Sequence, residues 1–209
     1  MKHILLLTTG GTIASRPTEE GLAPGMDGDA LTRHFPLLSE NYALTVRDIL
    51  HLDSSNIQPE EWQLIARAVH DQRAAYDGVV ITHGTDTMAY TASVLSFMLR
   101  GIPIPVVLTG SQLPIEHPLT DALENLRIAF AMAASGTPGV FVAFDRKVIL
   151  GCRAVKTRTK GFDAFESVNW PPAALVDGGG LHIDPAALPP AAGAVSYTHL
   201  RAHETTLHL

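Results

Sequence analysis

The stretch Asp77-Gly78-Val79-Val80-Ile81-Thr82-His83-Gly84-Thr85-Asp86-Thr87-Met88 decides how the chain folds. Its first half is a short, apolar, β-branched run after a turn signal, which predicts a buried strand. From Met88 the apolar residues Met88, Ala92, Leu95 and Leu99 fall at helical spacing, which predicts a helix. A hydroxyl and a carboxylate, Thr85 and Asp86, therefore stand side by side where a strand ends and a helix begins. That is where open α/β sheets bind their ligands. The start of the chain repeats the pattern: the apolar strand His3-Ile4-Leu5-Leu6-Leu7-Thr8 is followed by Thr9-Gly10-Gly11-Thr12-Ile13-Ala14-Ser15. Two threonines, Thr12 and Thr85, can thus face one ligand.

Outward from these junctions, strands and helices alternate, which predicts a parallel sheet covered on both faces. Pro59 is expected to start a helix through Tyr76, with Glu60 and Glu61 in its first turn and Trp62, Ile65 and Val69 on one face. Strands are expected at Pro105 to Thr109 and Gly139 to Phe144, with a helix from about Thr120 to Ser135 between them. After about Asp177 the pattern stops. Gly178-Gly179-Gly180 and the Pro/Ala-rich run that follows read as a linker over 178–193, so the folded domain is expected to span 1–177. Residues 194–209 lack a structural period and read as a non-native tail without a catalytic group.

The 209 residues are 46% hydrophobic, enough for the core of one large domain. A net charge of −6, from 15 basic and 21 acidic residues without a basic run, argues against nucleic acid as a partner. The lone Cys152 excludes an internal disulfide and suits a reducing compartment, so a cytoplasmic location is expected. The apolar run at the start breaks at Thr8-Thr9-Gly10-Gly11, too short for a signal core, and no stretch is long enough to span a membrane.

Taken singly, the polar residues have structural as well as chemical readings. Thr12 after two glycines suits either a capped turn or an accessible nucleophile. Asp53-Ser54-Ser55, ahead of the Pro59 helix, suits capping or ligand binding, and Lys156, near Arg153, Arg158 and Lys160, suits a solvated basic face or a catalytic amine. His83 at a strand end reads as a structural histidine, and Trp62, Tyr90 and Trp170 read as packing residues. The tail histidines have no acidic or cysteine partner at ligand spacing, so no metal site is expected. Thr9-Gly10-Gly11-Thr12 lacks the spacing of a dinucleotide or phosphate loop, which weighs against a nucleotide-binding module.

Together, Thr9-Gly10-Gly11-Thr12-Ile13-Ala14 and His83-Gly84-Thr85-Asp86-Thr87-Met88 resemble the asparaginase and glutaminase family with a threonine nucleophile. The likeness extends through Asp53-Ser54-Ser55-Asn56, Thr109-Gly110-Ser111-Gln112 and Ala154-Val155-Lys156 ahead of Gly161-Phe162-Asp163-Ala164-Phe165, covering about residues 3 to 175 in the family's order. It is nearest the cytoplasmic, type I branch. The resemblance implies a flavodoxin-like or Rossmann-like sheet and hydrolysis of L-asparagine to L-aspartate and ammonia, without metal or organic cofactor. Thr12 is then the nucleophile, and Thr85, Asp86 and Lys156 are a hydrogen-bonded proton-transfer set. Ser54 is implied to hold the substrate α-carboxylate and Asp86 its α-ammonium, with Gly11, Asp53, Ser55 and Thr85 also binding substrate. A homodimer or homotetramer is also implied, with sites completed by a smaller C-terminal α/β domain that these residues do not reach, so the chain alone is expected to be inactive. Relatives also carry a tyrosine in a mobile loop after the first strand. Here Leu22 occupies the place, and no tyrosine precedes Tyr42. The ammonia-producing component of a tRNA-dependent amidotransferase shares these motifs but carries an extra domain before the first strand, which here begins at residue 3.

Overall fold

The computed structural model describes residues 1–18, 21–24, 26–34 and 36–189. Strand β1 (Lys2–Gly10) is central: Ile4, Leu5, Leu6 and Leu7 are all fully buried. An unbroken apolar run, without alternation, is what a strand covered on both faces requires. Ile4 and Leu6 enter one core, and Leu5 and Leu7 the other. A hairpin of β2 (Ser15–Thr18) and β3 (Gly21–Pro24) follows. The predicted mobile loop therefore has paired backbone, while Glu19, Glu20 and Gly25 and the side chain of Leu22 lie outside the described residues.

Two short helices, α1 (Gly28–Arg33) and α2 (Pro36–Asn41), lead to β4 (Tyr42–Leu52). Helix α3 (Pro59–Gln72) begins with proline, and the Gln58 backbone N–H donates to the Glu61 carboxylate at 2.7 Å. Next come β5 (Gly78–Thr82), α4 (Met88–Met98), β6 (Pro105–Thr109), α5 (Ala122–Ala134) and β7 (Gly139–Phe144). Helix α3 stops at Gln72, short of the expected Tyr76. The chain must turn there to bring Asp77 beside His3, whose carbonyl accepts the Asp77 N–H at 2.8 Å.

The parallel strands lie in the order β4-β1-β5-β6-β7, a flavodoxin-like order with the direction of winding reversing at β1. Helices α1, α2 and α5 cover one face and α3 and α4 the other. Three antiparallel strands extend the sheet past β7: β8 (Lys147–Leu150), β11 (Ala174–Asp177) and β12 (Gly180–Ile183). Between them β9 (Ala154–Lys156) pairs with β10 (Phe165–Ser167) in a separate ribbon, fixed by the Phe165 ring 5.0 Å from Phe144.

Gly178-Gly179-Gly180, expected to open a linker, lies at the turn between β11 and β12, where Asp177 accepts the Gly179 N–H at 2.7 Å. The packed structure continues through Leu188, which contacts the core. Residues 190–193 of the expected linker and the expected tail at 194–209 lie outside the described residues. Tyr90, expected to pack, is 66% exposed on α4, because the face of α4 turned to the sheet carries Met88, Ala92, Leu95 and Met98 instead. Among the described residues no helix is long and apolar enough to cross a membrane.

Candidate active site

Three strand ends, those of β1, β4 and β5, meet at the reversal point, and their backbones pack closely enough that only glycine fits. Gly11 has φ 84°, a left-handed conformation, and a Cβ there would lie 2.5 Å from the Gly84 nitrogen. At Gly84 a Cβ would lie 2.5 Å from the Ser54 hydroxyl oxygen. The turn at Gly11 starts a single helical turn, Thr12–Ala14, and the Gly11 carbonyl accepts from the Ala14 N–H and the Ser15 hydroxyl. That geometry sets Thr12 on the wall of a pocket. The pocket is about 90 Å³ and is lined by Gly11, Thr12, Asp53, Ser54, Thr85 and Asp86 among others. One water needs roughly 10–15 Å³ of such space, so the pocket can hold a group larger than a single water.

Most of the expected site residues therefore share one cavity. The loop after β4 divides the serines. Ser54 is buried on the pocket wall, and its carbonyl accepts from the Thr87 hydroxyl at 2.8 Å, tying the β4 and β5 loops together. Ser55 is exposed and does not line the pocket, because its N–H and hydroxyl both donate to Asp53 Oδ1 at 2.9 Å. Asp53 caps the short turn Ser54–Asn56 through that carboxylate. Capping thus accounts for Ser55.

Lys156, on β9, does not line the pocket itself but reaches two residues of its wall. Its Nζ donates to Thr85 Oγ1 at 2.9 Å and to Asp86 Oδ1 at 2.7 Å, joining residues some seventy positions apart. Its side chain is 14% exposed, while that of Asp86 is 64% exposed. The amine is sheltered and its carboxylate partner is wet, so solvent screens much of their attraction.

The loop after β6 supplies a residue whose part the sequence did not reveal. Gln112 accepts from the Thr85 hydroxyl at 3.4 Å, and its amide donates to the carbonyls of Thr159 and Gly161 at 3.1 and 2.9 Å. Nothing in a Gly-Ser-Gln loop marks glutamine as a bridge. Only the fold brings 159–161 beside it.

His83 is fully buried, and burial pushes its pKa down to about 4. Nδ1 lies 2.8 Å from the Gly84 carbonyl, which can only accept, so Nδ1 carries the proton. Nε2 then accepts from the Thr91 hydroxyl at 2.9 Å, and that oxygen accepts the Trp62 indole N–H at 2.9 Å. The ring is a neutral structural brace behind the site, as its position at a strand end suggests. Among the described residues no group of three His, Cys, Asp or Glu side chains is placed to hold a metal ion.

The fold and this cavity define an α/β protein with a hydroxyl-lined site at the reversal point of its sheet. A model of the family described as Asparaginase, N-terminal, matches residues 3–188, and the chain belongs to that family. It is 52% identical over 176 residues to an L-asparaginase of Thermococcus kodakarensis, covering 84% of this chain and 54% of that protein. The solved structure of the thermostable L-asparaginase from Thermococcus kodakarensis superposes with a TM-score of 0.85 at 47% identity, covering 92% of this chain and 58% of that one. A glutamyl-tRNA(Gln) amidotransferase component of Thermoplasma acidophilum is 36% identical over 186 residues, or 85% of this chain and 45% of that protein. The chain thus spans about half the length of the curated relatives it matches.

Proposed function

We propose that the chain forms the nucleophile-bearing part of a cytoplasmic, homo-oligomeric amidohydrolase that converts L-asparagine to L-aspartate and ammonia. The observation that carries this is the Lys156 amine within 2.9 Å of the Thr85 hydroxyl and 2.7 Å of the Asp86 carboxylate, two groups that share a pocket wall with Thr12. In the proposed reaction the Thr12 hydroxyl gives up its proton as its oxygen attacks the side-chain amide carbon, the C–N bond breaks, and the nitrogen takes up a proton in its place and leaves as ammonia. Water then cleaves the Thr12 ester. The Asp86 carboxylate suits a substrate ammonium, and Ser54 with the backbone at Gly11 suits the carboxylate or the developing oxyanion. The Thr85-Lys156 pair is a path along which a proton can move.

The test is ammonia release from L-asparagine. It is measured on the 209-residue chain and on the chain joined to the remaining part of the Thermococcus kodakarensis relative, with and without Thr12→Val. Valine keeps the volume and removes the hydroxyl, so turnover should fall by about 10³-fold or more with folding unchanged. Undiminished turnover of the Thr12→Val protein would remove Thr12 as nucleophile. The likeness to an amidotransferase component supports a second reading, in which the ammonia serves a tRNA-linked transfer. Ammonia released only in the presence of a partner protein and tRNA would favour that reading.

A further inference from the structure

We propose that Gln112 fixes the direction of the Thr85 hydroxyl proton, so that Thr85 meets Lys156 as a hydrogen-bond acceptor. The inference rests on the function proposed above for the Thr85-Asp86-Lys156 set. It follows from the donors and acceptors around one amide. The two ends of a glutamine amide are told apart by what surrounds them. One end of Gln112 lies 3.1 Å from the Thr159 carbonyl and 2.9 Å from the Gly161 carbonyl, and carbonyls only accept. That end is therefore Nε2, with both of its protons engaged. The other end is Oε1, which can only accept, and it faces Thr85 Oγ1 at 3.4 Å, a long contact. A threonine hydroxyl has a single proton. The Lys156 ammonium has no lone pair and donates to Thr85 and to Asp86, so the Thr85 proton must point elsewhere; Gln112 receives it and holds it there when the amine loses its charge.

The glutamine is held from both ends. Its backbone N–H sits 3.0 Å from each oxygen of the Asp121 carboxylate, which also accepts from the Leu113 N–H and the Asn125 amide. Asn125 in turn accepts the Asp145 N–H and donates to the Gly110 carbonyl. The side-chain end clamps the 159–161 segment, which follows Lys156 in the chain. Gln112 is thus a positioning residue: it orders the set so that the amine is held as a donor until the Thr85 hydroxyl turns away from it. Only then can Thr85 offer its proton to the amine.

Acylation of the Lys156 amine tests this without requiring turnover, because only the unprotonated amine reacts. The rate at which an amine-directed acylating reagent modifies Lys156 is read by mass spectrometry at fixed pH, with Lys2 and Lys147 as internal references. Gln112→Met keeps the length and removes both hydrogen-bonding ends. Thr85 is then free to donate to the amine, and Lys156 should label about fivefold faster, the worth of one net hydrogen bond. Gln112→Glu releases the two carbonyls but still accepts the Thr85 proton, and its charge also favours the ammonium, so labelling should not rise. In a Thr85→Val background, Gln112→Met should add nothing. Thermal unfolding of each protein establishes that it is folded, and Gln112→Leu, which also lacks both hydrogen-bonding ends, is read in the same way if the Met protein does not fold. Unchanged labelling in the folded Met protein, faster labelling in the Glu protein, or an equal rise in the Thr85→Val background would overturn the proposal. Each would mean that Gln112 acts, if at all, by holding the 159–161 segment in place. Ammonia release by the unsubstituted protein is measured in parallel. Its absence would count against the proposed function and would leave the labelling result standing.

Discussion

Lys156 is the residue whose surroundings say most about its task. A lysine on a solvated basic face would point into water, yet this side chain is only 14% exposed and spends its donors on one hydroxyl and one carboxylate. Its removal should therefore affect proton transfer more than binding. Lys156→Met is expected to lower kcat by about 10²- to 10⁴-fold, the usual worth of a positioned acid or base, with KM changed little. A loss confined to KM, in steady-state kinetics of ammonia release, would contradict the role. His83 gives a second test at this scale. Its folded pKa of about 4 lies below the ordinary 6.5, so the unfolded chain binds the proton more readily. Its contribution is complete above pH 6.5 and is lost as the pH falls through 4, amounting to about 3 kcal/mol. Urea unfolding of the unsubstituted protein and of His83→Asn, which keeps a donor toward Gly84, should show less loss for the variant over that range. Parallel curves would mean that His83 titrates normally.

At the scale of elements, the site exists because three strand-end turns interlock through atoms with no room for a side chain. A Cβ on Gly11 would strike backbone atoms of Gly84, which cannot rotate aside, and would also hold an alanine at φ 84°. On Gly84 it would strike the Ser54 hydroxyl oxygen, which can rotate aside, and the Ser54 Cβ at 2.6 Å, which moves only with the backbone, but no left-handed φ would be imposed. Gly11→Ala should therefore cost more stability than Gly84→Ala, by about 1 kcal/mol or more in denaturant unfolding, the strain of a left-handed alanine. Equal costs would mean that the backbone at residue 11 relaxes out of the left-handed region. The glycines, the threonines and the strands carrying them were legible in sequence, because buried parallel strands read as unbroken apolar runs. Strands β6 and β7 have the expected ends, Pro105 to Thr109 and Gly139 to Phe144. What escaped was the antiparallel part. The β7–β8 turn uses Asp145 and Arg146 at φ 47° and 61°, conformations usually marked by glycine or asparagine, so no local signal announced it. For β11–β12 a signal was present, since Asp177-Gly178 is a hairpin dipeptide, but the glycine run read more readily as a linker. The bridge made by Gln112 was not legible at all, because both its partners arrive through the fold.

At the scale of the whole molecule, the antiparallel part carries Lys156 to a site built by the parallel part, so the integrity of one governs the chemistry of the other. Strand β12 closes this arrangement. It pairs with β11 from Ala174↔Ile183 to Asp177↔Gly180, and Leu181, Ile183 and Leu188 pack against the core formed with α5. The same segment holds its neighbours by two further bonds: the Asp184 N–H donates to the Ala173 carbonyl at 2.9 Å, and the Ala187 carbonyl accepts the Trp170 indole N–H at 2.8 Å. A chain ending at residue 177 would lose all of these contacts and leave β11 as an unprotected edge. One ending at 189 would keep them. Three partly buried aliphatic side chains at about 1 kcal/mol each, with the lost hydrogen bonds, put the difference at about 4 kcal/mol. For a domain of this size that is a fall of about 10 °C in Tm. Thermal unfolding of the 1–177 and 1–189 proteins under identical conditions measures it, and the shorter protein should also aggregate more readily through its exposed edge. Coincident melting curves would mean that β12 adds nothing to the sheet and that the folded unit does end at Asp177.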